Sequence, residues 1–194
     1  MNTNNLNQLQ HYVRKSGLKA KLQQPNKYTP VPQLIIDLGK DYKKRALYLH
    51  ITEQISSGMV NSAAGKAIDV TTLRFFVMFP FQIKEAHTED VCRYLFRINT
   101  NCELGNLVLR DKERLIVYQY SHLTIGNVID AAAVDIVISI VELLFNTFEE
   151  AIEMLASGAK SLKKFEEESY QLLKGSEFNN TQFSKILKKS KFKP

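Results

Sequence analysis

The sequence predicts an α+β fold in which a mostly antiparallel five-stranded sheet packs on helices in the order α-βββ-α-ββ-α. Three observations support this class: helices with one apolar side separate groups of strands, short turns join neighbouring strands, and a long helical segment follows the last strand. With 194 residues and 44% hydrophobic content, the chain is long enough for one sizeable core. We expect one α+β domain over residues 1–158 and a helical, lysine-rich C-terminal extension over residues 159–194.

The first predicted helix covers residues 3–16, because Leu6, Leu9 and Val13 recur at helical spacing. Three prolines then favour an extended connector over residues 18–32. Apolar, β-branched and aromatic runs follow, and they are typical of strands. The first three strands are predicted at residues 33–38, 45–52 and 73–81.

Residues 53–72, between the second and third predicted strands, are small and polar. A structureless loop of this length is uncommon in a compact domain. We therefore interpret the segment as a protruding hairpin rather than as a mobile loop.

The second helix is predicted over residues 89–99, with Thr88 as its N-cap. Its acidic first turn suits the positive end of the helix dipole. Val91, Leu95 and Ile98 recur at helical spacing and form its inward side.

The third helix is predicted over residues 128–156, which are rich in alanine and apolar side chains. The first half of this segment is apolar nearly all round. We expect its buried stripe to contain Ile136, Ile140, Leu144 and Phe148.

The last predicted hairpin has two apolar faces. Leu107 to Leu109 are consecutive apolar residues, and so are Leu115 to Tyr118. Because successive strand side chains point to opposite faces, each face of this hairpin needs a cover. The helices described above can cover one face. A predicted helix at residues 162–174, a second subunit or a bound polypeptide can cover the other.

A family resemblance rests on residues 93–123. A helix ends at an asparagine, Asn99 or Asn101, a strand begins near Gly105, an acidic turn follows at Asp111, and the next strand leads to a long helix. This order resembles the YbjN-like branch of the type III secretion chaperone superfamily. The resemblance covers residues 1–156 by topology and residues 93–150 by recognisable pattern.

The resemblance implies a type III secretion chaperone-like domain of helices and sheet that is often dimeric. Its work in that family is to hold another protein rather than to transform a small molecule. It therefore implies a protein partner or client, or a homodimer.

Candidate catalytic and metal-binding groups lack the patterns that such chemistry needs. Ser121 and His122 are adjacent on an extended chain and point apart, and the four histidines have no metal-ligand spacing. Glu149, Glu150 and Glu153 are interpreted as a solvated polar stripe of a helix. The sequence predicts no enzyme, no cofactor and no metal.

The net charge of +6 belongs mainly to the end of the chain, because residues 160–194 carry nine lysines and four glutamates. Lys185, Lys188, Lys189 and Lys191 surround an amphipathic tail. An alternative function is therefore an accessory protein that binds an anionic membrane or nucleic acid through this tail. Nucleic acid is the weaker partner, since the tail has no arginine. Without a signal sequence or a long uncharged apolar run, we expect no transmembrane segment and a cytoplasmic location.

The main hypothesis is a non-enzymatic protein-interaction module, chaperone-like or regulatory, that presents an apolar sheet face to a polypeptide or to its own copy. The residues predicted on its less protected face are Phe76, Met78, Val108, Ile116 and Tyr118. Their assignment depends on strand register, because a slip of one residue exchanges the two faces.

Overall fold

The computed structural model describes four stretches of the chain, residues 4–27, 29–61, 67–125 and 131–167. The chain divides into two compact units, Met1–Ala159 and Lys160–Pro194. The division expected from the sequence lies at residue 158.

The described part of the first unit is an α+β domain. Its α-helices are α1 (Asn4–Lys15), α2 (Thr88–Asn99) and α3 (Ala131–Ser157), and a 3-10 turn covers Glu85–His87. Its strands are β1 (Ala20–Gln23), β2 (Gln33–Lys40), β3 (Ala46–Asn61), β4 (Ala67–Gln82), β5 (Asn106–Arg110) and β6 (Leu115–Ile125). They form one antiparallel sheet in the order β1-β2-β3-β4-β6-β5. The predicted α+β class and the antiparallel sheet are confirmed.

The predicted number of five strands is wrong, because β1 lies within the expected connector. It pairs with β2 from Ala20 opposite Ile36 to Gln23 opposite Gln33. The strand ends before Pro25, so the prolines do not interrupt its hydrogen bonds. Four residues are too few to show a periodicity in the sequence.

The interpretation of residues 53–72 as a hairpin is confirmed. Strands β3 and β4 pair as far as Asn61 opposite Ala67. Strand β6 follows β4 into the same region, where Ile125 lies opposite Val70. Residues 62–66, at the end of the hairpin, lie outside the described residues.

One face of the sheet, here called the inner face, packs on the helices. Phe79 of β4 stacks on Phe145 of α3 with ring centroids 4.3 Å apart. The Tyr12 hydroxyl of α1 donates a hydrogen bond to Asp135 of α3 at 2.5 Å. The buried strand residues share this face by register and form the core with the helices. They include Leu34, Ile36, Leu49, Ile51, Leu73, Phe75, Val77, Ile116 and Tyr118.

The apolar sides predicted for the first two helices are confirmed. Leu6, Leu9 and Val13 of α1 are buried, and the predicted inward side of α2 is buried as well. The predicted cap of α2 is wrong. Thr88 already has helical backbone angles, because the preceding 3-10 turn leads directly into the helix and leaves His87 at the N-cap.

The stripe predicted for α3 is wrong in phase. Ile136 is 54% exposed and Ile140 is half-buried, whereas Val134, Val137 and Val141 are buried. Apolar residues surround the first half of this helix, so spacing alone did not determine which side faces the sheet. Of the predicted stripe, Leu144 is buried and Phe148 is half-buried, and residues 128–130 lie outside the described residues.

Within the described stretches, α3 is the one helix long and apolar enough to cross a membrane. Ten of its 27 side chains are buried. One helix of suitable length and composition is weak evidence for a membrane span. The expectation of no transmembrane segment stays a prediction.

The second unit is described only over its first residues. Residues 162–167 are helical, and the Lys160 ammonium lies 4.1 Å from the ring centroid of Phe165. Residues 168–174 of the predicted helix and the lysine-rich tail lie outside the described residues.

Asn99, at the end of α2, holds the edge strand β5. The Asn99 side-chain NH2 donates a hydrogen bond to the Leu107 carbonyl, and the Asn99 side-chain oxygen accepts one from the Leu107 N–H. Both distances are 2.8 Å. Of the two asparagines that carry the family resemblance, Asn99 therefore contacts the strand, whereas the Asn101 side chain bonds to Arg97 and Thr100.

Gly105 allows the chain to enter β5. Its φ of +72° is unfavourable for other residues, and a Cβ atom there would lie 2.6 Å from the Tyr118 hydroxyl. That hydroxyl donates a hydrogen bond to the Leu104 carbonyl at 3.1 Å. Tyr118 is thereby fixed on the inner face.

We predict that Asn99→Ala lowers the free energy of unfolding by about 1–3 kcal/mol, because both backbone groups of the buried Leu107 lose their partners. Urea unfolding measures the change. Asn101→Ala is the matched control and is expected to change stability by less than about 0.5 kcal/mol. Equal losses in the two variants would contradict this role of Asn99.

Candidate functional site

The face of the sheet opposite the helices, here called the outer face, carries apolar side chains that are partly exposed. Tyr48 and Met78 are each 44% exposed. Phe76 and Val108 are half-buried, and Val117 is buried among its neighbours. Strand β4 therefore alternates in burial between Leu73 and Phe79 although its sequence does not alternate in polarity, whereas residues 116–118 of β6 are buried on both faces.

Two grooves cross the outer face. The larger has a volume of about 810 Å³, and the smaller has a volume of about 380 Å³. Met78 and Leu115 line both grooves, so the two form one continuous surface around these side chains. The name outer surface is used here for five large apolar residues of the outer face that line the grooves and for the adjoining Val108. They are Tyr48, Phe76, Met78, Val108, Leu115 and Val117.

His50 extends the outer surface without adding charge. Its ring stacks on Phe76 with centroids 4.9 Å apart and an interplanar angle of 10°. Its Nδ1 lies 3.0 Å from the Gln33 side-chain oxygen. Burial lowers the pKa of His50 below its ordinary value, so the imidazole is neutral at pH 7.

The structure separates the five residues predicted for the less protected face. Phe76, Met78 and Val108 lie on the outer face, and their role in binding stays a prediction. The placement of Ile116 and Tyr118 is wrong, because both are fully buried on the inner face.

The register of the β5–β6 hairpin explains the error. Val108 lies opposite Val117, so Val117 and not Ile116 shares its face. A four-residue turn at 111–114, with a positive φ at Arg114, joins the two strands in this register. Since residues 115–118 are all apolar, their sequence alone fits either face.

Tyr48, Leu115 and Val117 are the members of the outer surface that the sequence prediction missed. The alternation of Tyr48 with the buried Leu47 and Leu49 was a usable signal, because it places the tyrosine on the opposite face. No comparable signal distinguished Leu115 and Val117 from their apolar neighbours.

The remaining candidate residues do not meet at one site. Ser121 and His122 lie on opposite faces of β6, and the His122 ring contacts the Tyr120 hydroxyl. In the stretches that the structure describes, no group of three or more His, Cys, Asp or Glu residues is placed to hold a metal. The lysines predicted to bind an anionic partner lie outside the described residues. They are Lys185, Lys188, Lys189 and Lys191.

A polar cluster joins the β2–β3 turn to α3. Arg45 donates two hydrogen bonds to the Glu153 carboxylate, at 2.9 and 2.6 Å, and a third to Asp41 at 2.5 Å. The Tyr42 hydroxyl and the Lys43 ammonium also donate to Glu153. The turn is therefore fastened to the helix by charge-assisted hydrogen bonds.

The interpretation of the three glutamates as a solvated stripe is wrong for two of them. Glu150 is exposed, but the Glu153 side chain is only 12% exposed and Glu149 is 3% exposed. One oxygen of Glu149, Oε1, has no hydrogen-bond partner among the described residues. The β2–β3 turn covers this part of α3, which helical periodicity alone does not reveal.

The carboxylates of the buried Glu149 and the half-buried Glu153 have opposite electrostatic environments. Burial raises the pKa of Glu149 to about 7, and the nearby Asp41 carboxylate adds to the effect. Burial also acts against the charge of Glu153, but hydrogen bonds from Arg45, Tyr42 and Lys43 outweigh it and hold the pKa at about 2. Near neutral pH Glu153 is therefore ionised and Glu149 is partly protonated.

Comparisons of the chain with protein-family models, with curated proteins and with solved structures gave no significant match.

We predict that Glu149→Gln removes part of the pH dependence of stability. The pKa of Glu149 rises from 4.5 to about 7 in the folded state, because that state favours the neutral carboxyl. The wild type therefore loses stability as pH rises through this interval. The loss is about 3 kcal/mol at most. The variant carries no ionisable group there, and it should lose less stability than the wild type between pH 5 and pH 8.

Urea unfolding of both proteins at these two pH values measures the difference. Glu150→Gln is the matched control, because Glu150 is exposed on the same helix, and it should keep the wild-type pH profile. A Glu149→Gln profile that matches the wild type would exclude this role of the buried carboxyl.

Proposed function

We propose that the chain is a protein-interaction module and that its outer surface binds a polypeptide. The observation that carries this proposal is the position of Met78, a 44% exposed apolar side chain in the middle of the sheet that lines both grooves. Contiguous apolar surface of this kind marks interaction sites in soluble proteins. The helices α1, α2 and α3 pack on the inner face, so they do not cover it.

The resemblance to the YbjN-like branch of the type III secretion chaperone superfamily supports the same function. The elements that carry it follow in the expected order: α2 ends at Asn99, β5 begins after Gly105, and β6 precedes α3. The resemblance implies a domain that holds another protein. We therefore propose a chaperone-like or regulatory role, exerted through binding rather than through catalysis.

The lining of the larger groove supports binding over chemistry. It combines Phe76, Met78, Leu115 and Val117 with amide, hydroxyl and charged side chains. Such a mixture of apolar and polar side chains is typical of protein interfaces. Membrane or nucleic-acid binding through the lysine-rich tail stays a prediction from the sequence.

We predict that the double variant Tyr48→Asp and Met78→Asp loses polypeptide binding, because two carboxylates placed on the outer surface oppose its burial by a partner. Both residues are partly exposed, so the domain should keep its fold. Light scattering measures self-association, and quantitative pull-down measures partner capture. We expect either complex to weaken by at least about tenfold.

The matched control is Ile136→Asp with Leu143→Asp, which places the same charges on exposed apolar positions of α3. This control should assemble and bind like the wild type. Unchanged assembly and capture by the outer-surface variant, with circular dichroism showing an intact fold, would refute the proposed function.

A further inference from the structure

Two arginines stand at opposite ends of the larger groove. Arg74 of β4 and Arg110 of β5 both line it, and both are exposed. Neither guanidinium makes an ion pair or a side-chain hydrogen bond with another described residue. Glu113 also lines the groove, so its ionisable side chains leave one net positive charge.

The strand register gives the distance between the two arginines. Arg74 lies opposite Ser121 on β6, and Arg110 lies opposite Leu115 on the same strand. These two positions are six residues apart on β6, which corresponds to about 20 Å along the strand. Strands β4 and β5 lie on opposite sides of β6, about 10 Å apart, so the two arginines are about 22 Å apart along the diagonal. The apolar side chains of Phe76, Met78 and Val117 lie in the interval, together with the polar side chain of Gln119.

The chemistry of a sheet face favours a helical occupant. The inner strands pair with a neighbour on each side over most of their length, so the floor of the groove offers few free backbone groups. An extended segment lying on it would leave its own N–H and C=O groups without partners, whereas a helix satisfies them internally. Helices also already cover the inner face of this sheet, and helices on both faces of one sheet are a standard packing.

We infer that the groove binds an amphipathic helix of a protein partner, with an acidic residue at each end of its apolar stripe. This inference rests on the proposed function of the outer surface. A span of about 22 Å corresponds to about 15 helical residues, so the two acidic residues lie about four turns apart. They contact Arg74 and Arg110, and the apolar stripe covers Met78.

The chain's own lysine-rich extension does not match this charge pattern. Residues 160–194 carry nine lysines against four glutamates, so its overall charge is of the same sign as the arginines. Charge complementarity selects between partners more strongly than it raises affinity. An acidic amphipathic helix from another protein is therefore the favoured occupant.

A displayed library of helical peptides of about 18 residues tests the inference. Each peptide keeps one apolar stripe, and the positions at its two ends are randomised. The full chain is the target, and binding is measured by fluorescence anisotropy. We expect enrichment of Asp and Glu at both ends, and about tenfold weaker binding of the enriched peptides to the double variant Arg74→Glu and Arg110→Glu.

A charge exchange supplies the specific readout. Selection against the Arg74→Glu and Arg110→Glu variant should enrich Lys and Arg at the peptide ends. The matched control is Lys19→Glu with Lys21→Glu, which makes the same change in net charge with exposed residues at the opposite edge of the sheet. This control should select the same acidic peptides as the wild type.

The outcomes separate this inference from the proposed function. Peptides that lose binding with Tyr48→Asp and Met78→Asp but show no preference for acidic ends would overturn the inference and leave the proposed function standing. If no selected peptide is sensitive to that variant, both are overturned. A wild-type dimer that the same variant dissociates would make a second copy the occupant and would also overturn the inference.

Discussion

The pairing of β5 with β6 determines which apolar side chains of this domain meet the helices and which remain at the surface. Three local features fix that pairing. Asn99 holds the backbone of Leu107, Gly105 leaves space for the Tyr118 hydroxyl, and a four-residue turn joins the strands. With Tyr118 directed into the core, Val117 must face the other way. The outer surface is therefore a consequence of the same contacts that build the core.

The sequence predicted the elements whose local pattern has one solution. The apolar spacing of α1 and α2 determines one buried side for each helix, and those sides are buried in the structure. The pattern failed where apolar residues are continuous. Residues 115–118 fit either face of a strand, and the first half of α3 fits several helical phases, so Ile116 and Ile136 were assigned to the wrong surroundings. Tertiary contacts decide such cases, and a single sequence does not contain them explicitly.

The polar cluster beside α3 shows the same limit for charged groups. Glu149 and Glu153 lie one helical turn apart and have the same chemistry, yet their pKa values move in opposite directions. The difference comes from the β2–β3 turn, whose Arg45 side chain reaches Glu153 while its backbone covers Glu149. Helical spacing correctly placed the two carboxylates on one side of the helix. It did not show that another element packs there.

The contact between Asn99 and β5 also affects how molecules of this protein meet one another. An edge strand with free N–H and C=O groups is a template on which another chain can add a strand. Repeated addition of strands at such an edge leads to aggregation. At Leu107 the asparagine side chain already occupies those groups. By occupying this edge position, a single amide leaves the backbone of Leu107 with no free group for an added strand, so the sheet does not extend from that residue.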